Sequence, residues 1–271
     1  MKKLNRLDWA HGLTLSAYGV RIGLRANAPG RIQPLLDLLP PGWRESGTQD
    51  VQWLYSLFSR ASRADPSRTF HQLHTGPDLL TRGTDFSRLV QAFGNDVRAM
   101  LAVRSPWRSF IHAGTVGWKG RAIVLPGHAG AGKSTLTRAL VQAGATYYSD
   151  EFAVLDRAGR VHPYPLPLRL KTSTGPGSMV VPPSELGGEV GTKPIKVGLV
   201  LSTRFDPERK GRIQKLSSGR GALELMAHAV QARLRPVSVM ESVGRATEGA
   251  LILKGPRGEA ENMVDMILGL W

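Results

Sequence analysis

Apolar and polar positions along the chain predict a succession of short strands and helices. Residues 12–24 alternate between the two classes, which is typical of a pair of half-buried strands. From Phe86 to Leu101 the apolar positions recur at steps of three and four residues, which predicts an amphipathic helix. A short helix over 29–39 and a strand over 51–58 lie between them. We therefore predict a small α/β N-terminal domain over residues 1–107.

This first domain contains no motif that indicates catalysis or ligand binding. His71 and His74 stand close together, but no third metal-ligating residue accompanies them, and we interpret both as surface or loop residues. Motifs that carry chemistry begin only after residue 108. Residues 108–271 are therefore predicted to form a second α/β domain, and this domain is expected to hold the functional site.

The second domain opens with a predicted β-hairpin. Two apolar runs flank Lys119-Gly120, a pair that fits a two-residue turn. A turn of that length places His112 opposite Gly127 in the register of the hairpin, whereas a longer turn shifts it. We therefore expect His112 at the mouth of the glycine-rich segment that begins at Gly127.

That glycine-rich segment matches the phosphate-binding loop G-x-x-x-x-G-K-[ST] at every fixed position, between a predicted strand and a predicted helix. It consists of Gly127, His128, Ala129, Gly130, Ala131, Gly132, Lys133 and Ser134, and Thr135 follows in the helix. Glycines allow backbone N–H groups to surround an anion, and the helix N-terminus adds partial positive charge. In such loops the lysine reaches the β- and γ-phosphates and the hydroxyl ligates Mg²⁺. We predict that residues 127–135 bind ATP and that Ser134 binds the metal.

An acidic residue is predicted to lie beside this loop. The helix over 134–143 is about 15 Å long, Gly144 ends it, and the strand over 145–149 returns about 16 Å. Because the two lengths match, Asp150 is expected at the level of Lys133, where a carboxylate can hold Mg²⁺ or accept a proton from a hydroxyl. Glu151 follows on the other face of the strand, and its role stays open.

Composition narrows the classes of function. A net charge of +15 over 271 residues favours an anionic partner, although an arginine-rich surface with no such partner is an equal alternative. The chain has no cysteine, which excludes disulfides and thiolate metal sites, and no apolar run of the roughly 18 residues that a membrane span needs. We expect a cytoplasmic protein. Nucleic acid is not an expected partner, because the sequence contains no helix-turn-helix or aromatic RNA-binding motif.

Four segments of the second domain resemble the HPr serine kinase/phosphatase class, most closely its HPr kinase-related branch. They are His112-Ala113-Gly114, Gly127–Thr135, Tyr148-Ser149-Asp150-Glu151 and His162-Pro163-Tyr164-Pro165. The resemblance covers residues 108–270. The chain departs from the bifunctional enzymes of that class at Asp150-Glu151, where they have two aspartates, and at Thr135, where they have glutamate. It also lacks their later Glu-x-Arg-Gly-type signature.

The resemblance implies a P-loop kinase domain that transfers the γ-phosphate of ATP to a serine or threonine hydroxyl of a small protein or peptide. By position, it implies that Lys133 holds the β- and γ-phosphates, that Ser134 holds Mg²⁺, that Asp150 acts as general base and that His112 lies beside the transferred phosphate. It also implies a homo-oligomer. Arg204, after a predicted buried strand, is a candidate for stabilising the transition state.

Two alternatives share every one of these motifs. A small-molecule kinase would use the same loop and the same carboxylate but would have a deep, specific acceptor pocket. A nucleotide-sensing module would bind ATP without transferring phosphate.

Overall fold

The computed structural model describes residues 5, 9–63, 65–128, 130–171, 178–206, 208 and 212–271. The protein is a mixed α/β protein, as predicted, and divides into two compact units, Met1–Trp107 and Arg108–Trp271. Ala129 of the glycine loop lies outside the described residues. No helix in the described part of the chain has the length and apolar character needed to cross a membrane.

The first unit is a six-stranded sheet with one long helix packed on it. Its strands are β1 (His11–Ala17), β2 (Val20–Ala26), β3 (Arg44–Glu45), β4 (Trp53–Ala61), β5 (Thr69–Thr75) and β6 (Asp78–Gly83), in the order β3-β1-β2-β4-β5-β6. Its helices are α1 (Gln33–Leu36) and α2 (Phe86–Arg104). Helix α1 is shorter than predicted, because the chain leaves α-helical hydrogen bonding for i→i+3 bonds at Leu38 and Leu39.

Helix α2 follows the predicted apolar stripe. The side chain of Asp85 caps its N-terminus by accepting hydrogen bonds from the backbone N–H groups of Ser87 and Arg88. The stripe residues Leu89, Phe93, Val97 and Leu101 are buried against the sheet. This burial is what stabilises the helix, because apolar area removed from water contributes roughly 25 cal/mol per Å².

The interpretation of His71 and His74 as surface or loop residues is wrong. Both lie in strand β5, and His71 is only 3% exposed. Its Nδ1 is 2.8 Å from the hydroxyl oxygen of Ser59, and its ring lies 5.0 Å from the ring of Phe86. His71 is therefore a satisfied core residue of this unit.

The second unit has ten strands and four α-helices in its described part. The strands are β7 (Ser109–Trp118), β8 (Arg121–Pro126), β9 (Thr146–Ser149), β10 (Phe152–Leu155), β11 (Arg160–His162), β12 (Leu168–Lys171), β13 (Ser178–Val181), β14 (Ile195–Phe205), β15 (Gln214–Leu216) and β16 (Leu251–Arg257). The helices are α3 (Lys133–Gln142), α4 (Ser218–Ala227), α5 (Pro236–Thr247) and α6 (Glu261–Leu268), with a short 3-10 turn at Pro183–Glu185.

The main sheet of this unit has the order β11-β10-β7-β8-β14-β16-β15, and β9 pairs with β7 beside β10. Strands β8, β14 and β16 run parallel, so their C-terminal ends lie at one edge. Alternate residues of β8 enter two cores: Ile123 packs in the cluster with α3, and Val124 packs in the cluster with α4 and α5. The sheet is thus covered on both faces, which explains the uninterrupted apolar run of β8.

The hairpin prediction is confirmed. Trp118 pairs with Arg121, and the turn residues Lys119 and Gly120 have φ angles of 45° and 77°, as a two-residue turn of this type requires. The backbone N–H of Gly127 accordingly points to the carbonyl of His112 at 3.4 Å. The start of the glycine loop is therefore fixed by the hairpin register.

Candidate functional site

The glycine loop joins the C-terminal end of β8 to the first turn of α3, at the edge where β8, β14 and β16 end. Gly130 and Gly132 have φ angles of 83° and 81°, in the left-handed region that a residue with a Cβ rarely adopts. Gly132 immediately precedes α3, so the glycine loop lies at the N-terminal end of this helix, where the helix dipole is positive.

Lys133 closes the loop from its inner side. Its Nζ donates hydrogen bonds to the carbonyl oxygens of Gly127 and His128, each at 2.9 Å. Partial burial lowers the pKa of Lys133, and the nearby carboxylate of Asp150 raises it in opposition. Among the described residues, the hydrogen-bond partners of this ammonium are thus neutral carbonyls, and the ammonium is placed to bind an anion at the mouth of the loop.

Ser134 and Asp150 meet beside Lys133. The hydroxyl of Ser134 donates a hydrogen bond of 2.6 Å to Oδ2 of Asp150. Asp150 follows β9 directly, and the pairing with β7 is interrupted there before it resumes at Phe152. The chain thus returns through β9 to the level of the glycine loop and brings Asp150 there, as the matched lengths of helix and strand predict.

A glycine in β7 makes room for this meeting. Gly114 lies beside Asp150: a Cβ at Gly114 would clash with the hydroxyl of Thr137 on α3 and would lie 3.7 Å from Oδ1 of Asp150. Because β7 has no side chain at this position, α3 and the carboxylate can both approach the strand.

The carboxyl group of Asp150 titrates well above its usual range. Burial raises the pKa of Asp150 to about 6, with a smaller increase from Glu151, while the hydroxyls of Ser134 and Thr137 and the Lys133 charge oppose the shift. Its Oδ1 is buried and has no hydrogen-bond partner among the described residues. A buried carboxylate oxygen without a partner is costly, so a ligand or a proton at this oxygen would stabilise the site.

The other predicted site residues lie around this centre. The ring of His112 is exposed and lies 4.9 Å from that of Phe152; partial desolvation and the charges of Lys133 and His128 lower the pKa of His112. Glu151 is half-buried, and its N–H donates to the hydroxyl of Ser149. Thr135 is exposed in the first turn of α3.

One histidine was missed by the sequence reasoning. His228 follows α4, and its carbonyl accepts the backbone N–H of His112 at 2.9 Å. The rings of His228 and His128 have centroids 4.6 Å apart. Burial, and then the charge of His128, lower the pKa of His228. No local pattern marks His228, because a segment distant in sequence brings it to the glycine loop.

An arginine beneath the loop was also missed. Arg257, at the end of β16, is 2% exposed and donates hydrogen bonds to the carbonyls of Gly132 at 2.9 Å and Gly258 at 2.8 Å. A Cβ at Gly132 would clash with this guanidinium, so the glycine also permits the arginine to approach. Arg204, the arginine proposed from the sequence, is instead exposed at the end of β14.

A cleft of about 810 Å³ adjoins the loop. Its walls are the outer side of the glycine loop, the ends of β14 and β16, and the C-terminal part of α4. On the α4 side Glu224 accepts hydrogen bonds from Ser202 at 3.1 Å and from Lys254 at 2.5 Å. Clefts at the C-terminal ends of parallel strands are where α/β proteins bind ligands.

Within the described residues no group of three or more His, Cys, Asp or Glu side chains could hold a metal ion by itself. The side chains of Ser134 and Asp150 offer oxygen ligands to a metal that binds together with a nucleotide. Mg²⁺ bound in this way needs only one or two protein ligands, because phosphates and water supply the rest.

No protein-family model and no curated protein sequence matches the chain.

Proposed function

We propose that the protein is an ATP-dependent kinase of the HPr kinase type, with a P-loop catalytic domain in the second unit. It transfers the γ-phosphate to a serine or threonine hydroxyl of a small protein or peptide. The observation that carries this proposal is the 2.6 Å hydrogen bond between Ser134 and Asp150 beside Lys133, at the glycine loop. A phosphate-loop hydroxyl adjacent to a strand-end carboxylate is the ligand pair with which such enzymes hold Mg²⁺.

The residues present fit Mg²⁺ and a triphosphate. The partnerless Oδ1 of Asp150 and the Ser134 hydroxyl are hard oxygen donors, which is the chemistry that Mg²⁺ prefers. The N–H groups of the loop and the ammonium of Lys133 suit phosphate oxygens. Bound with ATP, Mg²⁺ neutralises charge on the β- and γ-phosphates.

The protein's own residues then divide the work of transfer. Lys133 holds the terminal phosphates, and Asp150 accepts the proton of the attacking hydroxyl. As the bond from the hydroxyl oxygen to the γ-phosphorus forms, the bond from that phosphorus to the β–γ bridging oxygen breaks and ADP leaves. In the protein without a bound ligand, burial raises the pKa of Asp150 to about 6, so this carboxylate is ionised at neutral pH and more basic than an exposed one. His112, which is near enough to Lys133 for that charge to lower its pKa, is a further contact for the transferred group.

Labelled γ-phosphate transfer tests this function. Mg-ATP labelled at the γ-phosphate is incubated with the protein and a pool of peptides and small proteins from the same source. We expect a labelled serine or threonine with the wild type and with Lys193→Ala, a control that removes an exposed lysine of the same unit. Lys133→Ala is expected to abolish the label.

Label that persists in Lys133→Ala would overturn the assignment of the site. Label on a small metabolite rather than a peptide would indicate the small-molecule kinase. Absence of label, with Lys133-dependent binding of ATP, would indicate the nucleotide-sensing module instead.

A further inference from the structure

The lining of the cleft beside the glycine loop includes two chemically different pairs of residues. One pair is His128 and His228, whose ring centroids lie 4.6 Å apart. The other pair is Phe205, the last residue of β14, and Gly255, near the end of β16. Residues of the glycine loop line the cleft as well.

The reacting groups fix the direction in which a nucleotide would lie. Ser134 and Asp150 meet on the side of the loop that faces β7 and α3, and neither residue lines the cleft. The γ-phosphate must lie near these two residues for transfer to occur. The ribose and base of the same molecule must therefore leave the loop elsewhere, and the cleft toward β14 and β16 is an opening that adjoins it.

Phe205 provides an aromatic surface in this part of the cleft. It is 38% exposed, which is unusual for a phenylalanine. The guanidinium of Arg257 lies 5.5 Å from the centre of its ring, and Arg257 is itself held by the carbonyl of Gly132. The ring thus rests on a residue anchored to the loop that would hold the phosphates, which fixes its position relative to them.

We propose that this cleft binds the nucleoside part of a nucleoside triphosphate, with the base stacked on Phe205. The inference rests on the proposed function and adds the location of the nucleoside to it. A cleft of about 810 Å³ lies within the usual range for small-molecule sites. Aromatic stacking accepts any base because every base has a π face, so ATP and GTP are expected to bind with similar affinity.

Binding of two ligands to matched variants tests the inference. The ligands are Mg-ATP and Mg-tripolyphosphate, which lacks the nucleoside, and each dissociation constant is measured by calorimetry. Phe205→Leu keeps an apolar side chain over Arg257 but removes the π face. We expect about tenfold weaker binding of ATP and unchanged binding of tripolyphosphate. Phe205→Trp is expected to restore ATP affinity, and Leu234→Ala, an exposed position outside the cleft, to change neither ligand.

The outcomes separate this inference from the proposed function. If Lys133→Ala abolishes binding of both ligands while Phe205→Leu leaves ATP affinity unchanged, the nucleoside does not bind at Phe205 and the inference is wrong. Equal weakening of both ligands by Phe205→Leu would also overturn it, because the effect would then act through the loop. If Lys133→Ala changes neither ligand, the proposed nucleotide site itself fails.

Discussion

One charged group of each unit, Arg25 in the first and Asp150 in the second, shows how differently a buried charge can be satisfied. In the first unit, the guanidinium of Arg25 is buried but donates hydrogen bonds to the carbonyls of Leu13 and Leu24 and to the hydroxyl of Thr14. In the second unit, Oδ1 of Asp150 is buried and has no hydrogen bond of ordinary length among the described residues, although the hydroxyl of Thr137 lies near enough to lower the pKa of this carboxyl group.

The difference between Arg25 and Asp150 separates a structural from a functional use of a buried charge. Buried groups that are satisfied by their own fold stabilise it or cost little, whereas partnerless groups carry a desolvation cost. In the second unit this desolvation cost falls on Asp150, which lies beside Lys133 and Ser134. Altered pKa values and partnerless donors or acceptors at one edge of a sheet are typical of sites that bind a charged ligand.

The largest expected effect on this contrast comes from Gly114→Ala. The new Cβ would clash with the hydroxyl of Thr137, and overpacking of this kind costs about 1–3 kcal/mol of unfolding free energy. We expect lower stability in urea unfolding and loss of ATP binding. Adding Thr137→Ala should restore both properties, because it removes the atom that clashes. Gly83→Ala in the first unit, where a Cβ meets nothing within 4 Å, is the matched control.

The ionisation of Asp150 gives the next largest effect. The pKa of Asp150 in the folded protein, about 6, lies above the 3.8 of an exposed aspartate, so the folded state binds more protons between these two pH values. Ionisation of Asp150 therefore lowers the free energy of unfolding, and this loss reaches its full size above pH 6. The loss disappears as the pH falls toward 4, where the carboxyl group is protonated in the folded state. Asp150→Asn should be more stable than the wild type at pH 8, on the order of 2 kcal/mol, and not at pH 4. Equal unfolding free energies of Asp150→Asn and the wild type at pH 8 would show that burial does not destabilise the ionised carboxylate.

The smallest effect is expected from Tyr55→Phe in the first unit. The hydroxyl of Tyr55 donates a 2.6 Å hydrogen bond to Asp96, and removing it should lower the unfolding free energy by about 1–2 kcal/mol. Binding of ATP should not change, because Tyr55 lies in the first unit and the glycine loop lies in the second. A weaker affinity for ATP in this variant would contradict the division of labour between the units.

Local patterns were sufficient to predict the centre of the site. The two-residue turn at Lys119-Gly120 fixes His112 opposite Gly127, and the matched lengths of α3 and β9 place Asp150 beside Ser134. These relations depend only on segments adjacent in sequence, where register and element length determine the geometry.

The opposite wall of the site could not be predicted in the same way. Lys254 lines the cleft and Arg257 reaches the glycine loop because β14 pairs in parallel with both β8 and β16. His228 lines the cleft because a segment after α4 bonds to the start of β7. Such pairings join segments that are far apart in the chain and leave no local signature. The burial of His71 was missed for the same reason, because its neighbour Phe86 belongs to helix α2.

Transfer and binding measured on Asp150→Asn test the central claim most directly. Asp85→Asn is the control, because asparagine also caps helices well and Asp85 lies in the first unit. Once an acceptor is identified, we expect Asp150→Asn to lower the transfer rate by about 10²–10⁴-fold while Lys133-dependent binding of ATP persists, and Asp85→Asn to leave both unchanged. Wild-type transfer by Asp150→Asn would contradict the assignment of Asp150 as the group that accepts the proton.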